Sequence, residues 1–600
     1  MLTLGVHDGH TSTACLMNNG EVIACISEDR LNRNKEFAGF PRQAMDKCLE
    51  ISNFTPDQVD AVGICSTMPQ IGHAAYFQPP WYKRAFSVAT RVLPATLLQS
   101  PANVARIQSL GKILFKERQT RLRGDLKTAG VTTDKVAFYD HHHLHAATAY
   151  HTSWFKDRKT LVITLDGSGD AICATVNVGE SGQITRLANV FNYNSVCELY
   201  TRVTQFLGMK PMSHEYKVMG MAPYASTSYG REEIVETFRK YFDVSAADPL
   251  RFRNTSGAWK WQFQKLLQKD LQGKRFDTIS GAVQQIFEEV VVKWVQNAIR
   301  ETGVYDVALS GGGFMNVKVN YLISQLPEVS SLFIFPSCGD ESNPIGACIQ
   351  AAIDNGMPAN QVKTLGMIYW GPEYSIDDIE SAIEKDISDQ SSLSITRHDD
   401  VNQVVAQQLA DGQIVGRYTG RMEWGARALG NRSILADARR QQVIHKLNKA
   451  IKMRDFWMPF APAIIIDYRE KYLDLRDDFP CPYMTMAPNT KEPAWDAITA
   501  GLHPFDKSAR AQIIDPENHP SFYDLVCKYE RLTGVGGVLN TSFNLHGDPI
   551  VCTPSDAIYT FLNSGLDVLQ MENIVLEKKD VESGFGVYSE SNATAANRSF

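Results

Sequence analysis

Alternating apolar and polar positions, set off by short Gly- and Asn-containing turns, open the chain: LTLGVH, DGH, TSTACLM, NNG and EVIACIS. The period of two predicts three consecutive strands, and Gly20 after Asn18-Asn19 marks a hairpin turn. The same grammar returns at residues 161–190. There LVITL runs into Asp166-Gly167-Ser168-Gly169-Asp170, followed by AICATVNV, GESG and QITRLANV. Asp8 and Asp166 stand 158 positions apart, which suggests a duplicated unit, although any β-meander would read alike. Helical spacing marks residues 41–60 and 99–130, and most clearly 279–302. That last helix feeds the strand DVALS, three glycines (Gly311, Gly312, Gly313) and a further helix. A second apolar strand, LFIF, then leads through Pro336–Glu341 into the helix of NPIGACIQAAI. A short polar helix ends near residue 392. The pattern therefore predicts an α/β protein with one domain over 1–392, a second over 393–583 and a disordered Ser/Asn/Ala-rich tail over 584–600.

Six hundred residues exceed what one core accommodates, in keeping with two domains. A formal net charge of −7 offers no general attraction to a polyanion, so nucleic acid is not an expected partner. No apolar run approaches the roughly 18 residues that span a bilayer, and the first residues read as a core strand rather than a signal peptide. Eleven scattered cysteines without a CxxC pair exclude a thiolate zinc ribbon and point to reduced thiols in the cytoplasm.

Candidate chemistry starts at Tyr139-Asp140-His141-His142-His143-Leu144-His145, with four histidines in five positions. With Asp140 as N-cap, His141 and His145 stand one turn apart on one helix face, a spacing at which two imidazoles can hold one metal ion. Capping or solvating a helix start is the alternative reading. Hard oxygen ligands are at hand in Asp166 and Asp340, each on a Gly-containing turn after a strand. Gly311–Gly313 between strand and helix would let backbone amides approach a nucleotide. The chain has neither a Walker motif nor GxGxxG. In the second domain Arg417, Arg421, Arg427, Arg432, Arg439 and Arg440 crowd into one segment. A solvated, acid-paired face is one reading. The other is a loop folded around a small anion, because guanidinium grips phosphate as a planar fork. Lys452, Arg454, Arg510 and the turn Asn540–Asn544 would add donors.

At these motifs the chain resembles the O-carbamoyltransferases of the nodulation-factor and antibiotic-tailoring type, similar to the enzymes that carbamoylate tobramycin, cephamycin and ansamycins. The resemblance runs over about residues 3–580 and rests on SEDRLNRNKEFAGFP, HHHLHAATAY, DGSGD, HEYKVMGMAPY, LSGGGFMN, CGDESNPIGA, GRMEWGARALGNRSIL and VLNTSFNLHGDPIVCTPSDA. It implies a duplicated actin-like ATPase domain, like that of the universal tRNA-threonylcarbamoyl transferase, followed by a YrdC-like α/β domain. The second would make carbamoyl adenylate from carbamoyl phosphate and ATP. The first would pass the carbamoyl group to a hydroxyl of a small natural product, such as an aminoglycoside, macrocycle, nucleoside or guanidinium alkaloid.

The resemblance further implies metal ligands His141, His145, Asp166 and Asp340, with a divalent ion, usually iron (Fe2+), and Mg2+ accompanying ATP. Nitrogen plus hard oxygen suits a first-row metal without choosing among them. Carbamoyl phosphate would lie on Arg427, Lys452, Arg510, Asn540 and Ser542, with Arg432 nearby. The adenylate would lie on Gly311, Gly312, Gly313 and Asn316, with Lys217 in the flanking loop. His10 is the expected base, with a structural histidine as the alternative. Many relatives carry GHD where Gly9-His10-Thr11 stands, and Arg where Met458 stands. A homodimer is open as the assembly. Four rival readings are weaker. A tRNA-modifying enzyme lacks a basic stripe here, a hydrogenase-maturation carbamoyltransferase lacks its CxxC pairs, a sugar kinase leaves the arginine-rich domain unexplained, and a non-catalytic ATP-binding regulator is the blandest.

Overall fold

The computed structural model describes residues 1–68, 116–227, 230–245, 247–259, 261–388, 391–452 and 455–579. Arg454, the tail after 579 and most of the helical spacing over 99–130 lie outside the described residues. Strands β1 (Leu2–His7), β2 (Thr13–Asn18), β3 (Glu21–Ser27), β4 (Ala61–Cys65) and β5 (Val136–Tyr139) form one sheet, ordered β3-β2-β1-β4-β5. Strands β6 (Thr160–Gly169), β7 (Ile172–Glu180) and β8 (Gln183–Phe191) begin a second. After a short ribbon of β9 (Phe242–Asp243) and β10 (Arg253–Asn254), β11 (Asp306–Ser310) and β12 (Ser331–Ile334) complete it in the order β12-β11-β6-β7-β8.

The two sheets follow one path. In each, the first strand pairs antiparallel with the second, the second antiparallel with the third, and two later strands add in parallel beside the first. The repeated strand–Asp-Gly–strand grammar is thus a repeated topology. Parallel pairs need long crossovers, so helices fill the intervals. Helix Phe276–Thr302 supplies the longest, burying Ile279, Ile286, Val290 and Trp294 and ending at Gly303 in the left-handed region. Helix spacing over 41–60 holds only for Arg42–Ile51. Asn53 turns left-handed and a Pro56 turn follows, so the chain enters β4 instead.

Two helices set up the chemistry. Asp140 caps His141–Thr152 by accepting from His143 N, as its position predicted. That helix lies against Asn343–Asp354, where a Cβ on Gly346 would fall 2.3 Å from Leu144 O. Only glycine permits this approach, which brings the turn at Asp340–Ser342 onto the histidines.

The remaining strands form an eight-stranded sheet: β13 (Leu393–Arg397), β14 (Val415–Tyr418), β15 (Arg432–Ala436), β16 (Ala461–Ile465), β17 (Gln512–Ile514), β18 (Gly537–Ser542), β19 (Val568–Met571) and β20 (Ile574–Lys578). Their order is β13-β20-β19-β14-β15-β18-β16-β17. Among the described residues no helix is long and apolar enough to cross a membrane.

Candidate metal and anion sites

His141, His145, Asp166 and Asp340 each present one donor atom, and these atoms lie within 4.8 Å of one another. His141 Nε2 is 3.0 Å from Asp166 Oδ2, 3.4 Å from Asp340 Oδ1 and 3.1 Å from His145 Nε2. His145 Nε2 stands 3.9 Å from each carboxylate. Ligands about 2.0–2.2 Å from a common ion stand roughly 3–4 Å apart, so the donor set fits one first-row cation. Three secondary elements converge to make it: one helix turn gives both imidazoles, the end of β6 gives Asp166, and the turn after β12 gives Asp340.

Neighbours fix the rings. Ser66 Oγ lies 3.1 Å from His141 Nδ1, while Ser310 Oγ and Ser342 Oγ lie 3.3 and 3.4 Å from His145 Nδ1. Hydroxyl partners on both Nδ1 atoms leave the two Nε2 atoms facing the carboxylates. Asn343 is fully buried with Nδ2 3.3 Å from His141 Nδ1 and from His145 Nε2. His7 Nε2 lies 3.9 Å from Asp340 Oδ2. These supporting groups escaped the sequence reading, because a lone serine or a strand-end histidine carries no spacing signal.

The electrostatics are those of an acid pair short of positive charge. Burial raises Asp340, and the Asp166 carboxylate beside it raises it further. Burial would also raise Asp166, but the hydrogen bond and charge of His141 hold it well below the ordinary range. Burial works to lower His141, yet Asp340 and Asp166 outweigh it and lift the ring to about 9. His145 is held neutral by burial and by the charge on His141. Protons thus occupy a place that a divalent cation would fill with better balance.

His10 sits at the rim with Nδ1 3.3 Å from Thr11 Oγ1 and Nε2 3.9 Å from Glu36 Oε2. Burial lowers its pKa, opposed by Glu36, so the ring is neutral at neutral pH. A carboxylate therefore stands near His10 although Thr11 follows it in sequence. Lys217 Nζ lies 3.0 Å from Asp455 Oδ2, spanning the second and third sheets' regions. Its backbone carbonyl accepts from Trp457 Nε1. Met458 packs beside it, since a Cβ on Gly220 would come within 2.7 Å of its Sδ. At this position the buried Met458 side chain lies in the seam between the two parts of the chain. Asp8 is buried against Arg118, whose Nε lies 3.2 Å from Oδ2. Glu215 accepts from Met212 N at 2.7 Å.

Gly311 packs onto the end of β6, where a Cβ would meet Leu165 O at 2.3 Å, and Gly312 faces Asp166 Oδ1. Gly313 lies against Leu165. The glycine loop is accordingly held beside the histidine–aspartate quartet. Asn316 caps the helix Val317–Ser324 and exchanges two hydrogen bonds with Gln284, at 2.9 and 3.1 Å. Its amide is spent on the protein.

The six clustered arginines do not converge on one point. Arg417 is buried and donates to Gly430 O, Gln570 and Ser521. Arg421 donates to Gly371 O, Ile23 O and Trp370 O. Arg432, expected near the phosphate, is fully buried, stacked 3.7 Å over the Tyr418 ring and bonded to Thr419 O and Gly420 O. Arg439 and Arg440 share Asp437. Arg427 adjoins a segment whose carbonyls bond to the third sheet. The next residue's carbonyl, Ala428 O, accepts from Asn540 Nδ2 at 3.2 Å, and Gln512 Nε2 donates to Leu429 O at 3.0 Å. Arg510 enters β17 two residues before Gln512, which also accepts from Asn540 at 2.9 Å. Lys452 Nζ lies 3.3 Å from Ser542 Oγ and 2.8 Å from Asn544 Oδ1. Asn540 Oδ1 is buried without a hydrogen-bond partner among the described residues. The carbonyls of Ala428 and Leu429 thus meet Asn540 of β18 and Gln512 of β17, while Lys452 meets Ser542 at the end of β18.

A repeated βββ-plus-parallel sheet with a two-histidine, two-aspartate cluster, joined to a separate sheet with a basic polar loop region, defines a two-part α/β protein with a metal-type site. The chain belongs to the carbamoyltransferase family. The family profile "Carbamoyltransferase N-terminus" matches residues 3–349, and "Carbamoyltransferase C-terminus" matches residues 406–578. Nodulation protein NolNO of Sinorhizobium fredii is 29% identical over 585 residues, covering 96% of this chain and 79% of the relative. Nodulation protein NolO of Bradyrhizobium diazoefficiens is 30% identical over 453 residues, 73% and 79% of the two chains. An uncharacterised protein of Methanocaldococcus jannaschii is 30% identical over 498 residues, 79% and 80%. Full-length HypF in its phosphate- and nucleotide-bound form covers 59% of this chain and 47% of its own at 13% identity and TM-score 0.31, a likeness too slight to bear on fold or ligand. Membership of that family makes this chain a carbamoyltransferase, as the motifs implied.

Proposed function

We propose that this protein is an ATP-dependent O-carbamoyltransferase in which residues 393–583 activate carbamate and residues 1–392 deliver it. The repeated strand order supports an actin-like ATPase type for the first part, and motif resemblance supports a YrdC-like type for the second. In the activation step phosphate leaves carbamoyl phosphate with water, the carbamate oxygen joins the α-phosphorus of ATP, and pyrophosphate departs. Arg427, Lys452, Arg510, Asn540 and Ser542 would hold the phosphate, supplying positive charge and donors that need no reorganisation as charge builds. Arg432 would brace their loop.

Delivery uses the quartet. A divalent ion, Fe2+ by resemblance, would be held there by His141, His145, Asp166 and Asp340, and when bound it polarises the carbamoyl carbonyl. Gly311–Gly313 place backbone beside that point for the adenylate. His10, neutral and at the rim, would take the acceptor hydroxyl's proton as oxygen attacks the carbamoyl carbon and AMP leaves. Asn316 would support the glycine loop through its cap, and Lys217 would hold the seam through Asp455.

The observation that carries this reading is the convergence of four donors from three distant segments within 4.8 Å, in a chain of the carbamoyltransferase family. The test is carbamoyl-phosphate-dependent release of pyrophosphate from ATP with Mg2+. It is followed by transfer to a panel of decarbamoylated aminoglycosides, macrocycles, nucleosides and guanidinium alkaloids. Pyrophosphate release independent of carbamoyl phosphate would overturn it.

A further inference from the structure

One peptide group links the two pockets. Its carbonyl, Gly425 O, accepts from Arg30 Nη2 at 3.0 Å, and its N–H, on Ala426, donates to Ser337 Oγ at 2.9 Å. Arg427 follows directly. Ser337 in turn donates to Glu341 Oε1, closing the turn Ser337–Glu341 around Asp340. The contact is tight: a Cβ on Gly425 would fall 2.7 Å from Ser337 Cβ. Both residues hold left-handed backbone, Gly425 at φ 97° and Ser337 at φ 51°. For glycine this is easy. For serine it is uncommon, and it persists where surrounding bonds over-determine it.

We propose that Ser337 is a positioning residue that couples the pockets. It locks the Gly425–Ala426 peptide, and so the base of Arg427, to the turn that carries Asp340. A phosphate ester pulling on Arg427 loads the same peptide that orders Asp340, and an ion held by Asp340 orders the peptide that aims Arg427. Binding in either pocket then strengthens binding in the other, by reciprocal linkage. The consequence for catalysis is an ordered assembly, in which the delivery site is best formed when the activation site is filled. This inference rests on the assignments of Arg427 and Asp340 given above.

The test uses the full chain, freed of metal by chelation, with Co2+ read by its visible absorption and carbamoyl phosphate read calorimetrically, each with and without the other. In wild type, saturating carbamoyl phosphate tightens Co2+ at least about fivefold, and Co2+ tightens carbamoyl phosphate by the same factor. Ser337→Ala abolishes that factor, so each ligand's affinity, whatever its value alone, no longer changes when the other is present. Ser337→Gly, which accepts the left-handed backbone without strain, must do the same, and it keeps the test intact should the alanine variant fold poorly. Coupling that survives in the glycine variant, or wild-type affinities that ignore one another, overturns the proposal. Failure of wild type to bind Co2+ or carbamoyl phosphate at all overturns the underlying assignments, and the coupling with them.

Discussion

The histidine-rich helix start and the arginine-rich segment looked alike as sequence, each a dense run of one functional residue type, and they fold to opposite ends. Two of the four clustered histidines meet two distant aspartates at a shared point. Of six clustered arginines, five are held by the protein's own carbonyls, amides and acids rather than brought to a shared point. Geometry explains the contrast. Imidazoles one helical turn apart must point the same way. Arginine has five donors on a long stem, and a glycine-rich loop with few backbone bonds of its own is cheaply stitched by them. Density therefore marks a site only where the local backbone fixes direction.

His145→Ala should break the histidine side of this contrast most severely, lowering carbamoyl transfer by more than about 10²-fold in acceptor assays while the fold, read by circular dichroism, stays intact. His10→Gln should cost about 10²–10⁴-fold in transfer, and its pH profile carries the sign. Burial holds His10 below the ordinary 6.5, so the base is neutral above that lowered value. Transfer then falls as pH drops through it, with the acid limb lying below pH 6.5, and the glutamine variant loses that limb. On the arginine side, Arg427→Ala should reduce carbamoyl-phosphate-dependent pyrophosphate release about 10²–10³-fold, as loss of a preorganised charge does elsewhere.

Smaller effects sharpen the comparison. Ser310→Ala leaves the His145 Nδ1 with Ser342 alone and should weaken Co2+ binding about 10–100-fold, measured by titration. Arg432→Lys keeps the charge but loses the fork and the stack on Tyr418. It should cost about 1.5–3 kcal/mol in urea unfolding and leave the KM for carbamoyl phosphate near wild type. A large KM rise at unchanged stability would return Arg432 to the phosphate.

The duplicated strand pattern was legible because alternation and Asp-Gly turns are local, and both copies read alike. The four donor residues were legible for the same reason: a helical spacing and two strand-end turns. What escaped were groups defined by approach between distant segments. Asn343 and Ser310 reach the imidazoles only once helix Asn343–Asp354 docks at Gly346 and β11 lies beside β6. Glu36 comes within 3.9 Å of His10 from a loop whose backbone is left-handed at that residue, which no spacing announces. Residue type alone does not tell a ligand from a brace, and only the fold shows Arg432 stacked on Tyr418 and bonded to backbone carbonyls.

Most direct is ATP–pyrophosphate exchange with carbamoyl phosphate and Mg2+, run beside Co2+ titration on the pair His145→Ala and Arg427→Ala. Two separate pockets predict opposite losses: the histidine variant keeps exchange and loses tight Co2+, the arginine variant keeps Co2+ and loses exchange. Equal loss of exchange in both variants would contradict the account.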